Sequence, residues 1–175
     1  MKLRKINIAT AVAFATTIAF VSCSKDDGAI PKNINIESVP AVSINLEAGG
    51  FTANVNVADL PTFQGKFKTI LYFDNTTPPT KIDVVVRKRN GVTGSAKLFK
   101  GDIATLPASF TITSAELATL VGALVAKDTI EIAPDIYVGS KKYEAFPASG
   151  VAGSGSGVIG MSGVNFGERI TYYIK

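Results

Sequence analysis

The chain of 175 residues contains no histidine. It therefore cannot build a Ser/His/Asp or Cys/His nucleophilic centre, a His-ligated zinc site or a haem pocket with a proximal His. Its one cysteine, Cys23, cannot close an internal disulfide. Carboxylates are the abundant acid–base groups that remain. Asp74, Asp83, Asp102, Asp128, Glu131 and Asp135 could supply the two spaced acids that glycoside hydrolysis requires. Their setting argues otherwise. Asp74-Asn75 opens a turn containing Pro78-Pro79, Asp83 alternates outward on a strand and Asp128 precedes another, so turn formation and solvation account for them. Asp102, Asp128 and Asp135 lack the close spacing of a calcium loop. The expectation is a protein that is not an enzyme, with no metal and no dissociable cofactor.

Aromatic residues offer a second chemistry, because a flat ring stacks on the apolar face of a pyranose. Tyr137, Tyr143, Phe146, Tyr172 and Tyr173 are the aromatic candidates, the four tyrosines being the candidate ligand-binding residues. There is no Trp. Tyr172 and Tyr173 are adjacent on a strand and must point to opposite faces, and core packing with the hydroxyl at the rim competes with ligand binding for each tyrosine. The densest basic run, Arg87-Lys88-Arg89, places two arginines on one strand face and the lysine on the other, at a hairpin end near Asn90-Gly91. Gly155-Ser156-Gly157-Val158-Ile159-Gly160 matches the dinucleotide fingerprint as a string. It lacks the preceding strand, following helix and downstream acid that give that string its physics, and reads as a surface loop.

The amino-terminal segment has its own logic. Lys2, Arg4 and Lys5 precede the apolar run Ile6 to Val21, and Ser22 then stands immediately before Cys23. This is the layout of an export signal, and the run is too short and too diluted by Asn7, Thr10, Thr16 and Thr17 to span a bilayer. A lone cysteine just after such a run resembles the acylated residue of bacterial lipoproteins, whose sulfur takes a diacylglyceryl group and whose freed amine takes a further chain. Two or more chains give stable anchoring at roughly 0.8 kcal/mol per buried methylene. Phe20 and Val21 stand where that signal usually carries a leucine and a small residue. Cys23-Ser24-Lys25-Asp26-Asp27-Gly28 also resembles the start of mature outer-membrane lipoproteins of the Bacteroidota, which implies that Lys25, Asp26 and Asp27 form a surface-export signal.

Beyond the tether the period is two. Val42, Ile44 and Leu46 alternate with polar residues, Gly49-Gly50 punctuates, and Phe51, Ala53, Val55 and Val57 alternate again, predicting a hairpin. Further strands are predicted at 67–73, 82–89, 96–99, 109–113, 129–138, 142–146 and 170–174. From Ser114 to Leu124 the spacing of Leu117, Leu120, Val121 and Leu124 becomes helical, with Thr113 and Glu116 as a capping box. The fold expected is all-β: an immunoglobulin-like β-sandwich with one short helix crossing between sheets. The domain boundaries expected are 1–22 signal peptide, 23–37 lipid anchor and tether, and 38–175 sandwich.

Residues 81–86, 106–113 and 143–147 resemble the small immunoglobulin-like lipoproteins of Bacteroidota, often associated with outer-membrane uptake systems of the starch-utilisation type. The resemblance implies a non-catalytic lipoprotein facing the cell exterior from the outer membrane. Its partners would be a glycan and a transporter with its substrate-binding lipoprotein. An adhesion or fimbria-like structural subunit is the alternative. Asp128-Thr129-Ile130 resembles the acceptor motif for O-linked glycosylation at Thr129. The formal charge of +4 makes no case for nucleic acid, because three of the basic residues lie in the signal; without them 15 basic side chains face 14 acidic ones.

Overall fold

In the computed structural model, residues 39–90, 92–93, 95–147 and 167–175 are described. Cys23, Lys25, Asp26, Asp27 and the glycine-rich string lie outside them. The strands follow the alternation of the sequence: β1 (Val42–Leu46), β2 (Thr52–Val55), β3 (Gln64–Leu71), β4 (Lys81–Asn90), β5 (Val92–Thr93), β6 (Lys97–Ile103), β7 (Ala108–Thr113), β8 (Thr129–Val138), β9 (Lys141–Tyr143) and β10 (Ile170–Ile174). Among the described residues, one helix, α1 (Ser114–Val121), and a 3-10 turn at Val57–Thr62 complete the set. The architecture is all-β, in two sheets. The smaller has the order β1-β3-β7, and the larger runs β2-β10-β8-β4-β5, with β6 on β4 and β9 on β8.

The main apolar core joins the sheets, with a smaller cluster of Val42, Ile82 and Ile136 beside it. Ile44, Leu46, Phe67 and Ile112 from the smaller sheet share a buried cluster with Val84, Val86, Ile130, Ile132, Ile170 and Tyr172 from the larger. β8 is central and buried on both faces, so its outward set, Glu131, Ala133 and Asp135, is covered as fully as its inward isoleucines.

The expected hairpin at Gly49-Gly50 does not form. The two glycines adopt positive φ, +91° and +76°, and the Leu46 N–H donates to the Gly50 carbonyl, so a turn is made. Its strands then part: β1 pairs antiparallel with β3, while β2 pairs in parallel with β10 in the other sheet. Turn chemistry and alternation are the same for a hairpin and for a chain that changes sheets, so pattern alone could not separate them.

Helix α1 carries the chain from β7 in one sheet to β8 in the other. Its capping box is complete: the Thr113 hydroxyl accepts from the Glu116 N–H, and the Thr113 N–H donates to the Glu116 carboxylate at 2.8 Å. Leu117 is fully buried, and Gly122, at φ +84°, ends the helix three residues before the predicted Leu124. Lys88, on the inward face of β4, donates to the Ala123 carbonyl just past that end and pairs with the buried Asp128 at 3.1 Å. Cationic charge there complements the helix dipole. Asp128 is therefore a structural counterion rather than a solvated turn residue.

Candidate functional site

The outward face of β4 and β8 carries an unusual density of charge for a covered surface. Strand alternation puts Asp83, Val85, Arg87 and Arg89 on this face of β4, opposite Asp135, Ala133, Glu131 and Thr129 of β8. After β9 the chain does not continue as the strand expected to Phe146; Glu144 to Pro147 fold back over the face as a lip. The Ala145 N–H donates to Asp135 Oδ1 at 2.7 Å, and the Phe146 ring lies over the Arg87 guanidinium, 4.0 Å from its centroid. Between lip, sheet and β6 lies a groove of about 550 Å³, with Asp83, Val85 and Arg87 as floor, Leu98 as one wall and Phe146 as the other. Leu98 is 56% exposed, an open apolar surface beside fixed charges.

Each charge in the groove is held by a partner. Arg87 reaches the buried Glu131 at 2.6 Å. Lys142 pairs with Asp135 at 2.8 Å and with Glu144 at 3.4 Å; the hydrogen bond it donates to Asp135 is the main reason its ammonium holds its proton above the ordinary lysine range. Asp83 accepts from the Asp102 N–H through Oδ1 and from the Tyr137 hydroxyl through Oδ2, at 2.8 and 2.9 Å. Burial, and then that bond to Asp83, push the Tyr137 phenol up, so it remains a donor. Lys81 pairs with Asp102 and lies over the Tyr137 ring. The directly opposed carboxylates Asp83 and Asp135 were not legible as a pair from their sequence positions. All four of their oxygens already accept hydrogen bonds or ion pairs, which fits fixed binding groups better than a general acid and base.

The four tyrosines do not converge. Tyr137 borders the groove through Asp83. Tyr143 stands opposite Ile136 and packs on the other side of the sheet with Val42 and Ile82. Tyr172 is 3% exposed in the core, edge-on to Phe63 at 5.2 Å. Its hydroxyl has no partner, and burial raises its pKa. Tyr173 lies on the outward face, but opposite Thr129 at the far end of β8 from Tyr137, about 27 Å away at the usual strand rise. No aromatic platform results. Arg87 and Arg89 do share a face, as alternation requires, but on a central strand, where they neutralise Glu131 rather than guard an edge. Of the aromatic candidates it is Phe146 that lines the groove, carried there by a lip whose course has no period to read; Leu98, on β6, is the apolar groove residue that sequence reasoning did not select.

Among the described residues, no group of three or more His, Cys, Asp or Glu could hold a metal, and no helix is long and apolar enough to cross a membrane. Comparison of the chain with family models, curated proteins and solved structures returns no match.

Proposed function

We propose that this chain is a lipid-anchored, surface-facing, non-catalytic glycan-binding protein, and that the groove beneath the Phe146 lip is its binding site. The observation that carries the reading is the groove's composition: hydrogen-bonding groups already fixed in ion pairs, set beside the exposed Leu98 and the Phe146 ring. A sugar presents the same combination, hydroxyls on its rim and an apolar face of C–H groups. Fixed partners lower the ordering cost of binding. The anchor at Cys23, the export signal at Lys25, Asp26 and Asp27, and the uptake-system partners rest on the sequence resemblance. The immunoglobulin-like assignment is supported by the layering: a three-stranded sheet shares a core with inward-facing residues of β2, β4, β8 and β10 in the larger sheet, and β1 and β2 are divided between the two.

Calorimetry of the Cys23→Ser chain against a broad polysaccharide panel tests the function. Binding to one class, weakened about tenfold by Leu98→Ala or Glu144→Ala, supports the groove. No binding across the panel refutes the glycan reading, and self-association into filaments points to the adhesion or fimbria-like alternative. Release of shortened sugars would overturn the non-catalytic assignment.

A further inference from the structure

A second hollow lies at the end of the domain where the described chain begins. It has a volume of about 540 Å³ and is lined by Val39, Pro40, Phe73, Pro78 and Val138. Two large apolar side chains stand out around it, Phe73 at 48% and Val138 at 37% exposed. The loop that carries Phe73 is fastened in place. The Tyr72 N–H donates to the Ala41 carbonyl, the Thr76 N–H and hydroxyl donate to the Phe73 carbonyl, and the Thr80 N–H donates to the Tyr137 carbonyl. The Gly139 N–H in turn donates to the Thr80 hydroxyl, tying the loop to the β8–β9 turn. Tyr72 packs edge-on to Phe73 at 4.9 Å. Phe73 is thus held outward by its surroundings.

We infer that this end of the domain docks on the phospholipid surface, with Phe73 and Val138 entering the interfacial layer. The inference rests on the proposed acylation of Cys23. Val39, which lines the hollow, follows Cys23 by 16 residues. The opposite end of β8 lies about 30 Å further along the strand, so the chain leading back to the proposed anchor joins the domain beside the hollow and not at the far end. Tethering raises the effective concentration of membrane at the hollow, so a weak apolar contact suffices to orient the domain. Lys141 at the start of β9 and Asp74 on the loop are of opposite sign, which makes the contact apolar rather than electrostatic and independent of anionic lipid.

The absence of Trp gives a direct test. The full acylated chain carrying Phe73→Trp, Val138→Trp or Tyr173→Trp is reconstituted into phosphatidylcholine vesicles with and without bromine on the acyl chains. Docking predicts that emission from the Phe73→Trp and Val138→Trp proteins shifts to the blue and falls about twofold in brominated vesicles, while the Tyr173→Trp protein, at the far end, is unchanged. A blue shift without quenching means that the chain or another protein covers the hollow, and overturns the inference. Quenching absent while the protein floats with the vesicles overturns docking alone; protein that does not float with the vesicles overturns anchoring and docking together.

Discussion

Removing the carboxylate of Glu131 tests whether the covered face of the larger sheet is built as described. Glu131 is 1% exposed and meets three arginines: Arg87 at 2.6 Å, Arg169 at 3.5 Å and Arg89 at 3.7 Å. The three are not equal. Arg89 and Arg169 are about half exposed, so each pair contributes at most about 1 kcal/mol. The Arg87 side chain is only 13% exposed, and Glu131→Ala leaves its charge covered without a counterion, a loss of about 3–5 kcal/mol. That is a large share of the roughly 5–15 kcal/mol that stabilises an ordinary domain. Glu131→Gln keeps an acceptor and should lose less, about 1–3 kcal/mol. The joint replacement Arg87→Met with Glu131→Leu removes both charges and should return close to the parent stability, because the desolvation cost disappears with them. Urea denaturation at constant slope measures all three. Glu131→Ala costing less than about 1 kcal/mol, the range of an exposed pair, would refute the argument.

Three further outcomes follow from single contacts. Tyr172→Phe removes a buried hydroxyl without a partner and should stabilise by about 1 kcal/mol in the same denaturation assay, whereas loss of stability would reveal a hydrogen bond. Gly65→Ala should destabilise by about 1–3 kcal/mol, since its Cβ would stand 2.7 Å from the Tyr172 hydroxyl and 2.9 Å from the Phe63 ring; combining it with Tyr172→Phe should recover part of the loss. Hydrogen bonds from the Thr113 backbone and then its hydroxyl lower the pKa of Glu116 from 4.5. Its folded form therefore binds a proton less readily than the unfolded one, and this contribution is complete above pH 4.5 and disappears as pH falls through the folded value. Glu116→Gln, which removes the titrating group, should flatten that part of the acid unfolding profile, and an unchanged profile would sink the assignment.

Much of the chain was legible because its signals are local. β8 and β10 run over the predicted residues, and the helix begins at its capping box, since alternation and capping depend on neighbours two to four residues apart. The ends were less legible where distant partners act. β3 stops at Leu71, leaving Phe73 on a loop, because its partner β1 begins at Val42: Tyr72 makes the last bond of the ladder, to Ala41, and Pro40 before it has no N–H to continue. β9 stops at Tyr143 because Asp135 and Arg87 draw the following residues over the sheet.

The candidate site was readable as ingredients and not as an arrangement. The sequence alone determined which residues alternate, where the helix starts, that imidazole chemistry is absent, and that the lone cysteine follows an apolar run. The tertiary structure decided that β1 and β2 join different sheets, that Asp83 and Asp135 stand opposite one another, and that Tyr137, Tyr143, Tyr172 and Tyr173 point to separate places. Period two specifies a face but not which strand lies beside it. Pairing between residues 52 apart, as for Asp83 and Asp135, is chosen by the burial of the whole sheet.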